Sequence, residues 1–172
     1  MVFVANFAGA FAAPAVTPLT LPEKIASVAQ SSVGKKMWLG YGLPNGYLGC
    51  AAAVSNVLNK CGVKEAHSAT VTVMRRQILK SKYHPQEIVI RKPGQDLDDD
   101  KLRRLGRPGD VLLAFKDVPE RLNGGGSAHC GIYGTDAQVY TNDWNDGIWK
   151  YDNVHRYFNW YPYVYLLRLQ DP

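Results

Sequence analysis

Gly46-Tyr47-Leu48-Gly49-Cys50-Ala51-Ala52-Ala53-Val54-Ser55-Asn56-Val57-Leu58-Asn59-Lys60-Cys61-Gly62 is the stretch whose reading decides the fold. A glycine-rich, aromatic loop ends at Gly49, and the apolar residues Val54, Val57 and Leu58 then recur at helical spacing until Gly62 closes the run. Cys50 therefore falls in the first turn of a helix. Unpaired backbone N–H groups and the positive end of the helix dipole favour an anion there, which lowers a thiol's pKa and makes it a nucleophile. The competing reading is a small buried cysteine of no chemical consequence. It stands until a partner base is found.

The chain has 172 residues, 46% hydrophobic and 20% charged, the size of one globular domain that can bury a core without disulfide or metal support. No stretch has the length to span a bilayer as a helix. The net charge of +5 and the pI near 9.1 suit an anionic partner such as nucleic acid, lipid headgroups or an acidic cell wall, without choosing among them. Residues 1–20 form a signal-like or flexible N-terminal segment. Its apolar opening from Met1 to Pro14, with Ala10-Phe11-Ala12 as a signal-peptidase site, reads as the rear of a secretory signal, and export is expected. Residues 21–172 are expected to form a single domain. The three cysteines are compatible with one free thiol and one Cys61–Cys130 bridge.

Pro22 to Gly34 reads as a packing helix with the stripe Ile25, Val28, Ala29 and Val33. Lys35 to Tyr47 is a turn-rich loop. Its rings Trp38, Tyr41 and Tyr47 are expected either to wall a substrate cleft beside the nucleophile or to fill the core beneath the loop. Ser68 to Lys80 predicts a third helix whose basic face, Arg75, Arg76 and Lys80, is solvated. Nucleic-acid binding is not expected, because no aromatic residues alternate with those charges. Glu87 to Arg91 predicts a strand, and Gln95 to Asp100 an acidic surface loop without the spacing of a calcium site.

Beyond Arg107 the period becomes that of strands: Asp110–Phe115, Ser127–Tyr133, Gln138–Asp143, Gly147–Tyr151 and Tyr163–Leu169. Asn123 to Gly126 is a loop placed to close over a site. Four or five successive strands with short connections predict an antiparallel meander, and helices followed by strands predict an α+β fold.

His129 opens one of these strands, and Thr141-Asn142-Asp143 lies on the next, about 5 Å away. A side chain from that cluster can orient the imidazole and fix its tautomer. Alternation puts Thr141 and Asp143 on one face and Asn142 on the other. A cysteine at a helix start, a histidine at a strand start and a polar neighbour are the parts of a Cys–His–Asx site. No close-spaced ligand pair occurs, and His67, His84 and His155 are scattered, so neither metal nor other cofactor is expected.

Leu48-Gly49-Cys50-Ala51-Ala52-Ala53-Val54, Arg107-Pro108-Gly109-Asp110-Val111-Leu112 and Ser127-Ala128-His129-Cys130-Gly131-Ile132-Tyr133-Gly134, in that order, resemble the NlpC-type and CHAP-type cysteine peptidases and amidases of bacterial cell walls. The resemblance runs from about Trp38 to Leu169. It implies a papain-like core, with N-terminal helices on an antiparallel sheet of about five strands. It also implies Cys50 as nucleophile, His129 as general base and Asp143 as the residue that orients it, with Asn142 the next choice because Asp143-Trp144-Asn145 is similar to the family's third piece. Peptidoglycan or its peptide fragments are the implied substrate, the place of action is secreted, periplasmic or wall-bound, and a monomer is expected. NlpC-type enzymes carry an acid before the cysteine and a serine after it, where this chain has Gly49 and Ala51, so capture of a free peptide amine is not implied. An inactive wall- or protein-binding module and a thiol acyltransferase are the alternatives on the same fold.

Overall fold

A computed structural model describes residues 18–122 and 127–172. The signal-like residues 1–17 and the loop Asn123–Gly126 lie outside the described residues. The expected helices occur as α1 (Leu21–Ser31), α2 (Cys50–Lys60) and α3 (Val71–Leu79). A capping box of Thr20 and Glu23 starts α1, and Gly62, at φ +96°, follows the end of α2 in the left-handed conformation that glycine tolerates best.

The strands are β1 (Gln86–Arg91), β2 (Val111–Phe115), β3 (Ala128–Tyr133), β4 (Gln138–Asn142), β5 (Trp149–Asn153) and β6 (Tyr163–Arg168). They form one antiparallel sheet of six, ordered β1-β6-β2-β3-β4-β5. The expected meander is real from β2 to β5. The last strand departs from it by returning to pair between β1 and β2, which makes six strands rather than about five. All of β2 is buried, because it lies mid-sheet with both faces covered.

One face carries α1, α2 and α3. There Val54, Val57 and Leu58 of α2 pack without exposure against Leu113, Cys130 and Ile132, each side chain contributing roughly 2 kcal/mol. The other face is closed by Leu102 of α4 (Asp99–Leu105) and by Val154, Tyr157 and Phe158 of α5 (Val154–Phe158). The α+β arrangement, a cysteine-headed helix on an antiparallel sheet, is therefore the one that the motif order implied.

Two expectations change. The acidic stretch is not merely a loop, because Asp98 caps α4 by accepting from the N–H groups of Asp100 and Lys101. Asp99 and Asp100 then sit at the positive end of that helix and Arg103 and Arg104 at the negative end. On α3, Arg76 and Lys80 are exposed as expected, but Arg75 is buried. It donates two hydrogen bonds to Glu87, at 2.7 and 2.8 Å, and pairs with Glu120.

Asp110, the acid of the Pro-Gly-Asp motif, is structural. It is 1% exposed and receives a two-pronged contact from Arg168, at 3.0 and 2.7 Å, plus the Arg107 N–H. That pair ties the start of β2 to the end of β6. Burial raises the Asp110 pKa against the opposing pull of Arg168.

Candidate active site

Three small residues, Ala51, Ala52 and Ala53, follow Cys50, and all are fully buried, so the head of α2 sits close against the sheet. Polar residues of α2 hold the chain on either side: Asn56 donates to the carbonyls of Met37 and Leu39, and Asn59 to those of Ser55 and Ala66. Cys50 itself is half-buried at the helix head, where the first-turn N–H groups have no helical partner.

Gly49 cannot carry a side chain, since a Cβ there would lie 2.5 Å from the Trp38 Cβ. A Cβ on Gly46 would meet the Trp38 Nε1 at 2.3 Å and the Gly147 Cα at 2.5 Å. Trp38 is thus wedged into a slot of three glycines beneath the nucleophile loop. The Trp38 side chain, from its Cβ outward, excludes an acidic residue at position 49.

His129, on β3, is 4% exposed. Its Nε2 lies 2.9 Å from the Thr141 hydroxyl, and that hydroxyl donates its one proton to the Cys130 carbonyl at 2.7 Å. A carbonyl only accepts, so the hydroxyl oxygen must accept from the ring. Nε2 therefore carries the hydrogen, and Nδ1 is left as the basic nitrogen. Gly131 makes this contact possible, because a Cβ there would lie 2.6 Å from the Tyr140 carbonyl and 3.1 Å from the Thr141 Cβ.

The other two polar candidates are placed elsewhere. Asn142 faces the α2 side, as alternation requires, and donates to the Gly46 carbonyl at 2.6 Å, so it anchors the nucleophile loop rather than the imidazole. Asp143 shares the Thr141 face but lies one alternation further on. Its carboxylate accepts from Lys150 at 2.8 Å, from the Tyr157 hydroxyl at 3.0 Å and from the Asn145 N–H at 2.7 Å. Burial would raise its pKa, yet these three partners outweigh burial and hold it at about 2. The orienting contact to His129 is made by Thr141, in place of Asp143 or Asn142.

The imidazole is enclosed by aromatic residues that sequence reading did not single out. Tyr157 stacks on it with centroids 5.8 Å apart, Phe158 lies at 5.1 Å, Trp144 meets it edge-on at 5.4 Å, and Tyr161 is nearly parallel at 6.5 Å. The dense run Tyr157-Phe158-Asn159-Trp160-Tyr161 between two strands was the signal for three of them, and Trp144 stands in Asp143-Trp144-Asn145.

Cys61 and Cys130 are not bridged, and all three cysteines are free thiols. Cys130 instead neighbours the nucleophile. Its thiol is the largest influence lowering the Cys50 pKa well below the ordinary value; burial opposes the shift, and the hydrogen bond and charge of His129 add to it. Cys130 is itself pushed up by its own burial and by Cys50, so it remains a protonated donor to a Cys50 thiolate.

Cys50 and His129 open onto one cleft of about 340 Å³, lined mainly by apolar groups including Tyr47, Leu48, Trp144 and Tyr161. Among the described residues, no Lys, Arg, Asp or Glu lines it. Of the three rings expected to wall a cleft, only Tyr47 does. Trp38 fills the glycine slot, and the Tyr41 hydroxyl bonds His67 Nδ1 at 3.0 Å. Burial, with the negative charge of the Cys50 thiolate, pushes the Tyr161 phenol up to about 12, so it stays a donor at neutral pH. A wider groove of about 830 Å³ near Pro22, Arg107 and Tyr151 contains neither the thiol nor the imidazole.

No family model matches the chain, and no curated protein matches it. Among solved structures it is similar to NlpC1 from Trichomonas vaginalis at 20% identity and TM-score 0.49, over 90% of this chain and 45% of that protein. It is similar to NlpC2 from the same organism at 19% identity and TM-score 0.49, over 91% of this chain and 49% of that one. The chain spans about half the length of these two proteins.

Proposed function

We propose that the chain is a cysteine hydrolase that cleaves amide bonds by acyl transfer. The observation that supports this most is the pairing at the head of α2: a thiol whose pKa is lowered, beside an imidazole whose far nitrogen is tied to Thr141. In the reaction the Cys50 thiol passes its proton to His129 Nδ1, its sulfur bonds to the amide carbon, and the negative oxygen that forms is received by the Cys50 N–H and the Tyr161 hydroxyl. His129 gives its Nδ1 proton to the leaving nitrogen as the carbon–nitrogen bond breaks. It then takes a proton from water, whose oxygen displaces the sulfur. Thr141 keeps Nδ1 directed at the thiol through both halves.

The substrate we assign is peptidoglycan or its peptide fragments, met outside the cytoplasm. This rests on the resemblance of the three motifs and on the net charge of +5, which favours an anionic wall. The absence of an acid at position 49, and of any carboxylate among the described residues that line the cleft, speaks against capture of a free amine. Incubation of purified sacculi with the protein, followed by mass spectrometry of the soluble products, tests both activity and bond. Fragments are expected from the wild type and none from Cys50→Ala. Digestion that persists in the variant removes Cys50 from the nucleophile's role.

A further inference from the structure

Acyl transfer uses one thiol at the head of α2 and leaves a second one beside it without a part in the chemistry. Cys130 is fully buried on β3, on the face of the sheet that carries α2, and Cys50 packs against the same cluster of side chains. The two thiols are in hydrogen-bond contact, with Cys130 the donor. Thiols that touch in this way are at a range from which side-chain rotation closes a disulfide. β3 is paired on both sides, with β2 and β4, and the Cys130 carbonyl receives the Thr141 hydroxyl, so Cys130 is held against Cys50 by a fixed strand.

The two sulfurs differ in access and in charge. Cys50 lines the open cleft, and the thiolate is the form that a peroxide oxidises. Cys130 has no exposure, and burial together with the neighbouring Cys50 charge keeps it protonated. An oxidant arriving from solvent therefore meets Cys50 first. The third thiol, Cys61, caps the far end of α2, about 16 Å from Cys50 at about 1.5 Å per residue. Burial pushes it up to about 11, so it is both out of reach and protonated.

We propose that Cys50 and Cys130 form a reversible oxidation site for hydroperoxides, in which Cys130 captures oxidised Cys50 as a disulfide. The Cys50 thiolate attacks one peroxide oxygen. A sulfur–oxygen bond forms, the oxygen–oxygen bond breaks and hydroxide leaves, so the sulfur loses two electrons to the peroxide and becomes a sulfenic acid. The Cys50 charge is then gone, and with it the part of the Cys130 shift that Cys50 causes. The Cys130 sulfur attacks the Cys50 sulfur, the sulfur–sulfur bond replaces the sulfur–oxygen bond, and the departing hydroxide takes the Cys130 proton as water. The bridged site has no nucleophile until a thiol reductant reopens it. The bridge also stops Cys50 short of the sulfinic acid, which thiols do not reverse. This oxidation site stands apart from the hydrolase reading, since a thiol pair is oxidised whether or not the protein turns over a substrate.

Reduced full-length protein is treated with hydrogen peroxide and read by intact mass and peptide mapping. The wild type is expected to lose about 2 Da, the mass of two hydrogens, and to yield a peptide joining Cys50 to Cys130. Dithiothreitol is expected to restore the mass and the alkylation of Cys50 by iodoacetamide. Cys130→Ser keeps a donor beside the thiolate but has no sulfur to bridge, and thermal melting confirms that it is folded. It is expected to gain about 32 Da, two oxygens, and to lose Cys50 alkylation for good. A wild type that gains oxygen without a bridge, a bridge that runs to Cys61, or a Cys130→Ser protein that recovers as fully as the wild type overturns the oxidation site. Digestion of sacculi is read separately, so a protein that bridges reversibly yet releases no fragments keeps the oxidation site and loses the hydrolase reading.

Discussion

Replacing Thr141 with valine keeps the shape of the side chain and removes one hydroxyl, at a position with 0% exposure. Two hydrogen bonds go with it, the 2.7 Å bond to the Cys130 carbonyl and the 2.9 Å bond from His129 Nε2. Both abandoned groups are buried, so the fold should lose about 2–4 kcal/mol. The chemical effect is separate. A hydrogen bond to a neutral imidazole is worth about 1 kcal/mol and one to a charged imidazolium about 2–3, so the positive ring formed during acylation loses an extra 1–2 kcal/mol. At 1.36 kcal/mol per factor of ten, with some loss of the correct tautomer added, turnover should fall about ten- to a hundred-fold. The assay is the rate of Cys50 alkylation by iodoacetamide against pH, paired with release of fragments from sacculi. In Thr141→Val the His129 share of the thiol's lowering weakens, so the alkylation curve moves to higher pH, while Thr141→Ser should restore both readouts. If Thr141→Val remains folded and both its curve and its turnover lie on those of the wild type, the hydroxyl does not position the ring.

Cys130→Ala should move the alkylation curve to higher pH by more than Thr141→Val does, because the Cys130 thiol is the largest influence lowering Cys50; the same titration reads it. Tyr161→Phe should lower acylation by p-nitrophenyl acetate about ten-fold while leaving alkylation by iodoacetamide, which forms no oxyanion, near the wild-type rate. Asp143→Asn should cost about 2 kcal/mol in urea unfolding at neutral pH, since the folded carboxyl sits at about 2 against an unfolded value near 3.9. The sign follows from a depressed acid. Its contribution is fully present above about pH 4 and fades as pH falls through about 2, so wild type and variant should converge in strong acid. Gly49→Asp, which restores the acid of the NlpC pattern, should destabilise the fold by about 2 kcal/mol or more through its clash with Trp38, read as a lower melting temperature.

The nucleophile's place was legible because a helix start has a local signature: Gly49 before it, three alanines after it and Gly62 at its end. The strand carrying His129 was equally local, and its glycine has a physical reason in the close approach of Thr141. Alternation also assigned Thr141 and Asp143 to one face correctly. It could not say which of the two reaches the ring, because a step of two residues is about 6.6 Å along the strand, more than the length of a hydrogen bond. Asp143 lies past that limit, where β4 has given way to a turn closed by the Gly147 N–H on the Asp143 carbonyl. The helix α4 was readable from Asp98 and its ordered charges but was masked by their polarity. The return of β6 between β1 and β2 was not readable, because pairing between strands far apart in sequence leaves no mark on the period of either. For the same reason Cys130 looked like half of a bridge, when its neighbour is Cys50.

Trp38 and its three glycines mean that positions 38, 46, 49 and 147 share one fixed volume. Any lineage or library that varies position 49 alone draws from a set in which almost every side chain is refused, whatever its chemical merit. Acquiring an amine-binding acid there requires position 38 to give up its Cβ first, and the loop before Cys50 is then left without its wedge. Substrate preference and nucleophile placement are thus coupled through steric occupancy, and changing one calls for paired substitutions, such as Trp38→Gly with Gly49→Asp, screened together.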